Sequence, residues 1–264
     1  DKLNRLATRH DRTGADAEKV RAMIMPHAGY VYSGETAVMT AARAAGGIYR
    51  RIVVAAPSHR FPFRGAALSG SDIYATPLGR IKVDTAAVNA LLDTGSPYFN
   101  RHDDAHNFEH ALEVELPILQ RLLQNFELLP LICGQISPTE ARAMARTLLP
   151  YWTPDTLWVI SSDFTHYGRQ FGYIPFSDHI RDHLRELDLG AVEQIKRLDV
   201  DGFSRYVAET GATICGSNPI TLLLALIEAA GTKIVPELVN YTTSGELTGD
   251  FSHCVSYAGL VFTV

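Results

Sequence analysis

Three histidines in this sequence each follow an apolar run, at points where an imidazole could bind a metal ion or move a proton. His27 and His59 each come one or two residues after a proline that ends such a run. His166 closes the segment Ser-Ser-Asp-Phe-Thr-His, which follows a third run and also supplies Asp163. Neutral imidazole is a common metal ligand, and histidine and aspartate are common general acids and bases. The pattern predicts one site that contains all four residues.

The three apolar runs indicate the elements that must position these side chains. Each run has the length of a buried strand, and helical patterns separate the runs along the chain. Strands that alternate with helices favour a largely parallel sheet covered on both faces. Ligands of such sheets collect at the carboxyl edge, so His27 and His59 should converge there. Rings more than about 8 Å apart could not share one ion through bonds of about 2 Å.

Each of these residues also has a structural alternative. A histidine after a strand can satisfy a carbonyl at the strand end, and Asp163 can cap the segment that follows it. His166 can be an ordinary polar loop residue. For His27 and His59 together, the repeated run, proline and histidine favour a metal or catalytic role. For Asp163 and His166 the spacing alone leaves both interpretations open.

Two further residue groups were candidates for the same site. His106 and His110 lie four apart, but the His-Glu-x-x-His pattern of metalloproteases is absent between them. His110, nearer the following apolar run, keeps a possible place in the site, whereas capping or solvation is favoured for His106. Cys215 precedes a predicted helix, where a thiol can acquire a lowered pKa. A small buried thiol is the favoured interpretation of Cys215.

Length, charge and cysteine content restrict the class of protein. The 264 residues suit one domain over 1–264, and no linker or repeat divides them. A net charge of −5, without a long basic run, argues against nucleic acid or an anionic membrane surface as partner. Three distant cysteines favour a reducing, cytoplasmic setting. The chain begins without methionine in a polar, helix-like stretch, so a preceding segment is compatible with the sequence.

The remaining pattern predicts ordinary α/β elements. Residues 73–83 should form a small hairpin, and residues 93–107 a polar loop. An amphipathic helix is expected over 113–125, with Pro117 in its first turn or at a kink. Other helices are expected over 36–45, 85–92, 138–149, 176–197, 200–209 and 220–230, and other strands over 128–133, 233–241 and 254–264.

Seven segments, in order along nearly the whole chain, resemble the Memo family. They are PHAGYVYSG at 26–34, PSHRFP at 57–62, DIYATPLG at 72–79, EHALEVELP at 109–117, SSDFTHYG at 161–168, ICGSNPI at 214–220 and VSYAG at 255–259. The resemblance implies a three-layer α/β/α sandwich with a mostly parallel central sheet, similar to class III extradiol dioxygenases. It also implies a metal-capable pocket.

The same resemblance implies roles for individual residues. His27 and His59 match the two histidine ligands of the family, whereas His166, Asp163 and His110 match its other pocket residues, for which we predict catalytic roles. In the related dioxygenases, two histidines and a carboxylate hold Fe(II) on one face and leave positions for substrate and oxygen. Fe(II) is therefore the favoured cofactor, with copper or zinc as alternatives.

The third ligand is where the sequence departs from the family pattern. Counted back from VSYAG, the position of the family cysteine is occupied by Leu247, which cannot bind a metal. The expected substitutes are Glu246, His253 and Cys254, with His110, Asp163 or water as further possibilities. Glu246 would suit Fe(II), whereas Cys254 would favour copper or zinc.

Three functions are compatible with these residues. The first is a metal-dependent oxidoreductase of dioxygenase-like type that acts on a small aromatic or related molecule. The second is a non-catalytic binding or scaffold protein that recognises a phosphorylated or acidic ligand, such as an acidic peptide, in the same pocket. The third is metal-assisted hydrolysis. The family resemblance also implies a functional link to a radical SAM protein.

Overall fold

The computed structural model describes Arg5, Leu6 and residues 19–264, so the predicted N-terminal helical stretch lies almost wholly outside the described residues. The strands are β1 (Val20–Met25), β2 (Arg51–Pro57), β3 (Ala66–Leu68), β4 (Ile73–Thr76), β5 (Gly79–Lys82), β6 (Phe99–Arg101), β7 (Glu127–Cys133), β8 (Thr156–Ser161), β9 (His166–Tyr167), β10 (Val235–Thr243) and β11 (Cys254–Thr263).

Helices separate most of these strands. They are α1 (Gly34–Ala41), α2 (Thr85–Asp93), α3 (Asp103–Asn107), α4 (His110–Glu113), α5 (Leu116–Leu122), α6 (Pro138–Leu148), α7 (Ile180–Lys196), α8 (Val200–Thr210), α9 (Ser217–Ala230) and α10 (Ser244–Thr248). Among the described residues, no helix combines the length and apolar character needed to cross a lipid bilayer.

One large sheet forms the centre of the molecule. Its strand order is β10-β11-β1-β8-β2-β7-β3-β6, and β9 pairs with β11. The neighbours β1, β8, β2 and β7 are parallel. Toward the two edges, β11 is antiparallel to β1 and β3 is antiparallel to β7. The predicted mostly parallel sheet is therefore confirmed, with its parallel strands at the centre and antiparallel additions on both sides.

Both faces of the sheet are covered by helices. Every residue of β2 is buried. Its side chains alternate, with Val53 and Ala55 in one apolar core and Ile52 and Val54 in the other. The first core includes residues of α2, α6, α7, α8 and α9, and the second includes residues of α1, α3, α4 and α5. Strands buried on both faces read as continuous apolar runs, and the result is the predicted three-layer α/β/α sandwich.

The register brings three strand ends to one edge of the sheet. In the parallel pairs, Met25 of β1 lies opposite Ser161 of β8, and Ala55 of β2 lies opposite Ile160 of β8. The segments that leave these strands carry the predicted site residues. The fold therefore gathers those segments at the carboxyl edge, as the sequence pattern predicts.

Two local predictions show where sequence patterning succeeds and where it does not. The hairpin over 73–83 is present as β4 and β5, and Pro117 lies in the first turn of α5. The predicted loop over 93–107 instead contains β6 and α3. In β6 only Phe99 is buried, so its three residues show no alternating apolar pattern.

Candidate metal centre

The rings of His27, His59 and His110 form a compact triangle at the carboxyl edge of the sheet. Ring centroids are 5.4 Å apart for His27 and His59, 5.6 Å for His27 and His110, and 5.1 Å for His59 and His110. His27 is buried, whereas His59 and His110 are exposed. The rings of His27 and His59 are close enough to approach one ion, and their assignment as ligands stays a prediction.

Cys215 adds a sulfur atom to this cluster. Its Sγ lies 3.3 Å from Nε2 of His27. One ligand atom from each of His27, His59 and Cys215 lies within 4.8 Å of the other two. A Cβ at Gly216 would lie only 2.3 Å from the Cβ of Ser162, so this glycine lets the segment before α9 approach the end of β8. Two imidazoles and one thiol form a donor set that suits copper, zinc or iron.

Ser161 determines which nitrogen of His27 is available to an ion. The Ser161 hydroxyl donates to the carbonyl of Ala111 at 2.6 Å, so its oxygen accepts the Nδ1–H of His27 at 2.7 Å. Nε2 is then unprotonated, on the side of Cys215. Burial, followed by the charge of His59, lowers the pKa of His27 well below its usual range. The ring is therefore neutral, as a metal ligand must be.

His59 is oriented by a buried carboxylate that the sequence analysis did not single out. Nδ1 of His59 lies 2.8 Å from Oε1 of Glu109, and the backbone N–H of His59 donates to Oε2 at 2.7 Å. Burial opposes ionisation, but hydrogen bonds from His110 and His59 bring the pKa of Glu109 below its usual value. Nε2 of His59 is left for an ion. A carboxylate behind a histidine is the common outer contact of metal sites.

Asp163 fixes the backbone that carries His27. Its carboxylate accepts the backbone N–H groups of His27 at 2.9 Å and of Ala28 at 3.3 Å, and Oδ2 lies 3.9 Å from Nε2 of His27. Burial raises the pKa of Asp163 to about 6. Asp163 therefore borders the cluster, although it is in neither of the metal-capable groups found among the described residues.

His166 stands further along the same segment. Its Nδ1 lies 2.9 Å from the carbonyl oxygen of Phe164 and 3.0 Å from that of Thr213, so Nδ1 carries the proton. Nε2 is then free to accept one. Within the described part of the chain, His166 contributes no atom to the metal-capable groups. Its predicted acid–base role stays a prediction.

A cavity of about 280 Å³ opens beside the cluster. The residues that line it include His59, Cys215, Phe61, Phe63 and Arg60. Small-molecule sites usually occupy roughly 300–1,000 Å³. The cavity is therefore of a size for a small molecule, with both apolar and cationic contacts available.

Three residues expected as the third ligand, Glu246, His253 and Cys254, lie outside the metal-capable groups of the described residues. Leu247 is 55% exposed in α10, and its neighbour Glu246 forms an exposed ion pair with Arg181 at 2.8 Å. His253 stacks on Phe171 with centroids 4.7 Å apart. Cys254 is buried in a small apolar cluster with Tyr167. The structure places Cys215 beside the two histidines instead, because the segment before α9, rather than α10, meets the ends of β1 and β8.

Three residues of the site were therefore missed or discounted from sequence. Cys215 was interpreted as a small buried thiol, although its position before a helix was a usable signal. Glu109 directly precedes His110, and Ser161 is the last residue of β8. Neither has a spacing that points to a histidine partner, since those partners lie 50 and 134 residues away.

Glu115 is a buried carboxyl group close to the site that has no hydrogen bond to any residue the structure describes. Its side chain is fully buried, and neither oxygen has a partner among the described residues. Burial raises its pKa well above the usual value of 4.5, with the nearby Ser161 hydroxyl acting in the opposite direction. An unsatisfied buried polar group of this kind costs about 1–3 kcal/mol.

Glu115→Leu should raise the free energy of unfolding by about 1–3 kcal/mol at neutral pH, because the apolar side chain removes that cost. The folded-state pKa of Glu115 is raised, so the wild-type protein loses stability as pH rises above the usual value and through the folded value. The gain in the free energy of unfolding of Glu115→Leu should therefore grow with pH and be smallest in acid. Urea denaturation at mildly acidic and at neutral pH measures this gain.

Glu115→Gln is the matched control, since it removes the ionisation but keeps an unpartnered polar group. Its gain should be smaller than that of Glu115→Leu at every pH. A gain that is largest in acid, or no gain from leucine at any pH, would contradict the assignment of Glu115 as an unsatisfied buried acid.

Fold and site together define a class of protein: an α/β/α sandwich with two histidines and a cysteine clustered at the carboxyl edge of the sheet. The crystal structure of the uncharacterized protein JW3007 from Escherichia coli K12 has a similar fold. The TM-score is 0.58 at 14% sequence identity, over 92% of this chain and 99% of that one. At that identity the similarity bears on the fold alone.

Sequence comparison identifies the family. The signature of the Memo family, described as Memo-like protein, matches residues 2–261. Protein MEMO1 of Rattus norvegicus is 32% identical over 256 residues, covering 92% of this chain and 86% of that protein. The MEMO1 family protein TV1383 of Thermoplasma volcanium is 31% identical over 240 residues, covering 90% and 84%. The chain belongs to the Memo family, as its motifs predict.

Proposed function

We propose that the protein is a metal-dependent oxidoreductase that acts on a small molecule and holds iron or copper between His27, His59 and Cys215. The observation that carries this proposal is the convergence of one ligand atom from each residue within 4.8 Å. The donor set fits a transition metal, because both imidazoles keep Nε2 unprotonated and a thiol stands next to one of them. Iron or copper would supply one-electron chemistry, which zinc does not.

The surrounding residues support such a site by holding its ligands in place. Ser161 and Asp163 hold the ring and the backbone of His27, and Glu109 holds both the ring and the backbone of His59. A ligand set with fixed rotamers loses little entropy when it binds an ion. The thiol proton of Cys215 is released when the sulfur becomes a ligand, so binding should strengthen as pH rises.

The cavity supports a small substrate with a charged or aromatic part. Phe61 and Phe63 bring aromatic side chains to its lining, and Arg60 brings a cation that can pair with a carboxylate or phenolate. His110, whose ring centroid lies 5.6 Å from that of His27, and His166 are groups that can hold or move a proton. A dioxygenase-like reaction on an aromatic substrate is the form of chemistry that we favour.

Oxygen uptake by the reconstituted protein tests this proposal. Protein loaded anaerobically with Fe(II), and separately with copper, is mixed with oxygen and a panel of catechols, phenolic acids and thiols. We expect uptake that requires both metal and one substrate class, and a loss of at least about 100-fold in His59→Ala, a change larger than the 10–100-fold typical of an outer-shell substitution. His183→Ala is the control, because this half-buried histidine of α7 belongs to neither metal-capable group of the described residues.

Two results would count against the proposal. If neither metal binds, the proposed site is wrong. If metal binds but no compound causes oxygen uptake, the second candidate gains support.

Arg60 in the wall of the cavity favours that candidate, which is a binding role for an acidic or phosphorylated ligand. Calorimetry with phosphotyrosine, compared between wild type and Arg60→Ala, then decides it, and ester cleavage by the zinc-loaded protein would instead indicate a hydrolase.

A further inference from the structure

The carboxylate of Glu109 contacts two of the three clustered histidines. Oε1 lies 2.8 Å from Nδ1 of His59 and 3.3 Å from Nδ1 of His110, and it accepts the backbone N–H of Ala111 at 3.0 Å. Oε2 accepts the backbone N–H of His59 at 2.7 Å. The side chain is only 2% exposed. All four contacts bring a nitrogen toward a carboxylate oxygen, so Glu109 acts as an acceptor throughout.

The contacts with Glu109 determine the tautomers of both rings. A neutral imidazole that donates from Nδ1 leaves Nε2 unprotonated. The rings of His59 and His110 are stacked at 29° with centroids 5.1 Å apart, and both turn Nδ1 toward the same oxygen. In each ring Nε2 is therefore the nitrogen that does not contact Glu109. The ring of His27 lies next to them, with its centroid 5.6 Å from that of His110.

We propose that Glu109 is a positioning residue that holds His59 and His110 in the same tautomer, so that one carboxylate orients a metal ligand and a proton-handling group together. The roles of the two histidines, as metal ligand and proton-handling group, rest on the proposed function. Their tautomers do not rest on the proposed function, because they are a property of the protein without metal.

Glu109 is better suited to this role than to binding the ion itself. His59, Glu109 and His110 do offer three ligand atoms within 4.8 Å of one another. However, Oε1 already has three nitrogen contacts, so a metal there would displace the backbone N–H of Ala111 or a histidine ring, and Oε2 already accepts the backbone N–H of His59. A buried backbone N–H that loses its partner costs about 1–3 kcal/mol. If Glu109 stays behind the histidines and does not bind the ion, it keeps all four nitrogen contacts. Nε2 of His59 and Nε2 of His110 then both stay free.

The test combines histidine tautomers with metal affinity in Glu109→Gln. Nitrogen-15 NMR of the metal-free protein, at a pH above the titration of both rings, should show the Nδ1–H form for His59 and His110. In Glu109→Gln the amide NH₂ must face either a ring or the backbone N–H of His59, so the Nδ1–H form should give way to a mixture. Affinity for Co²⁺ should fall about 10–100-fold, as for other outer-shell changes. Glu113→Gln, an exposed residue of the short helix α4 that directly follows Glu109, should alter neither quantity.

The outcomes separate this inference from the proposed function. Tautomers and Co²⁺ affinity that stay unchanged in Glu109→Gln would overturn the role of Glu109. So would an Nε2–H tautomer at either ring of the wild-type protein, a measurement that stands even if the variant does not fold. Wild-type protein that binds no Co²⁺ would instead remove the proposed function, and the tautomers alone would then decide the role of Glu109.

Discussion

Cys215→Ser is expected to lower the affinity for Co²⁺ by at least about 100-fold, beyond the roughly 10–100-fold loss that follows removal of an outer contact. The thiolate is the softest donor of the cluster, and Sγ lies 3.3 Å from the nitrogen of His27 that faces it. A serine hydroxyl stays protonated at neutral pH and binds transition metals weakly. Optical titration with Co²⁺ measures the affinity, and the sulfur-to-metal charge-transfer band should disappear in the variant.

Cys254→Ser is the matched control for this experiment. Cys254, like Cys215, is a free thiol, but it is buried, and it is one of the third ligands expected from sequence. In the structure it packs against Tyr167 and Leu184, outside both metal-capable groups of the described residues. We expect wild-type Co²⁺ affinity in this variant once its folding has been verified. If Cys254→Ser loses the band and Cys215→Ser keeps it, the assignment of the third ligand is reversed.

Asp84→Ala should lower the free energy of unfolding by about 3–5 kcal/mol, the usual cost of leaving one charge of a buried ion pair without its partner. Nε and Nη2 of Arg51 lie 2.7 and 2.5 Å from Oδ2 of Asp84, and both residues are buried. Oδ1 of Asp84 also accepts the backbone N–H of Ala87 at the start of α2. The substitution therefore removes a charge partner of β2 and a helix cap at once.

Urea denaturation measures this loss, and Asp155→Ala is its control. Asp155 pairs with the neighbouring Arg50 at 3.2 Å, but both side chains are at least half exposed. Exposed ion pairs contribute only about 0–1 kcal/mol. A loss below about 1 kcal/mol for Asp84→Ala would show that solvent screens the Arg51–Asp84 pair in the same way and that burial does not govern it.

The sequence was sufficient to predict the central sheet and its functional edge. The runs that end before His27 and His59 are continuous because β1 and β2 are covered on both faces. A strand buried in this way leaves a strong local signal in the sequence. The position of a histidine after each strand then follows from chain order, and the parallel arrangement brings the two rings together.

The residues that complete the cluster could not be predicted in the same way. Cys215 lies 188 residues from His27, and its approach depends on how the segment before α9 packs against the end of β8. Glu109 lies in a polar stretch that resembles a solvated loop, although its side chain is buried. The local sequence pattern indicates whether a residue fits a helix or a strand. It does not indicate which distant side chain that residue will contact.

The third ligands expected at 246–254 lie outside the metal-capable groups of the described residues for a related reason. Counting back from VSYAG assumed that the segment before β11 reaches the two histidines. In the structure α10 lies in that segment, and Leu247 is exposed there. Counting residues back from a motif therefore pointed to α10 for the third ligand. The three-dimensional arrangement instead brings Cys215, the thiol of ICGSNPI, into the cluster.

X-ray absorption of the zinc-loaded protein is the most direct test of the central claim that one ion is shared by His27, His59 and Cys215. A shared ion predicts one sulfur at about 2.3 Å and two or more nitrogens at about 2.0–2.1 Å from the metal. The sulfur contribution should vanish in Cys215→Ser and persist in Cys254→Ser. A coordination shell of nitrogen and oxygen alone in the wild-type protein would contradict it.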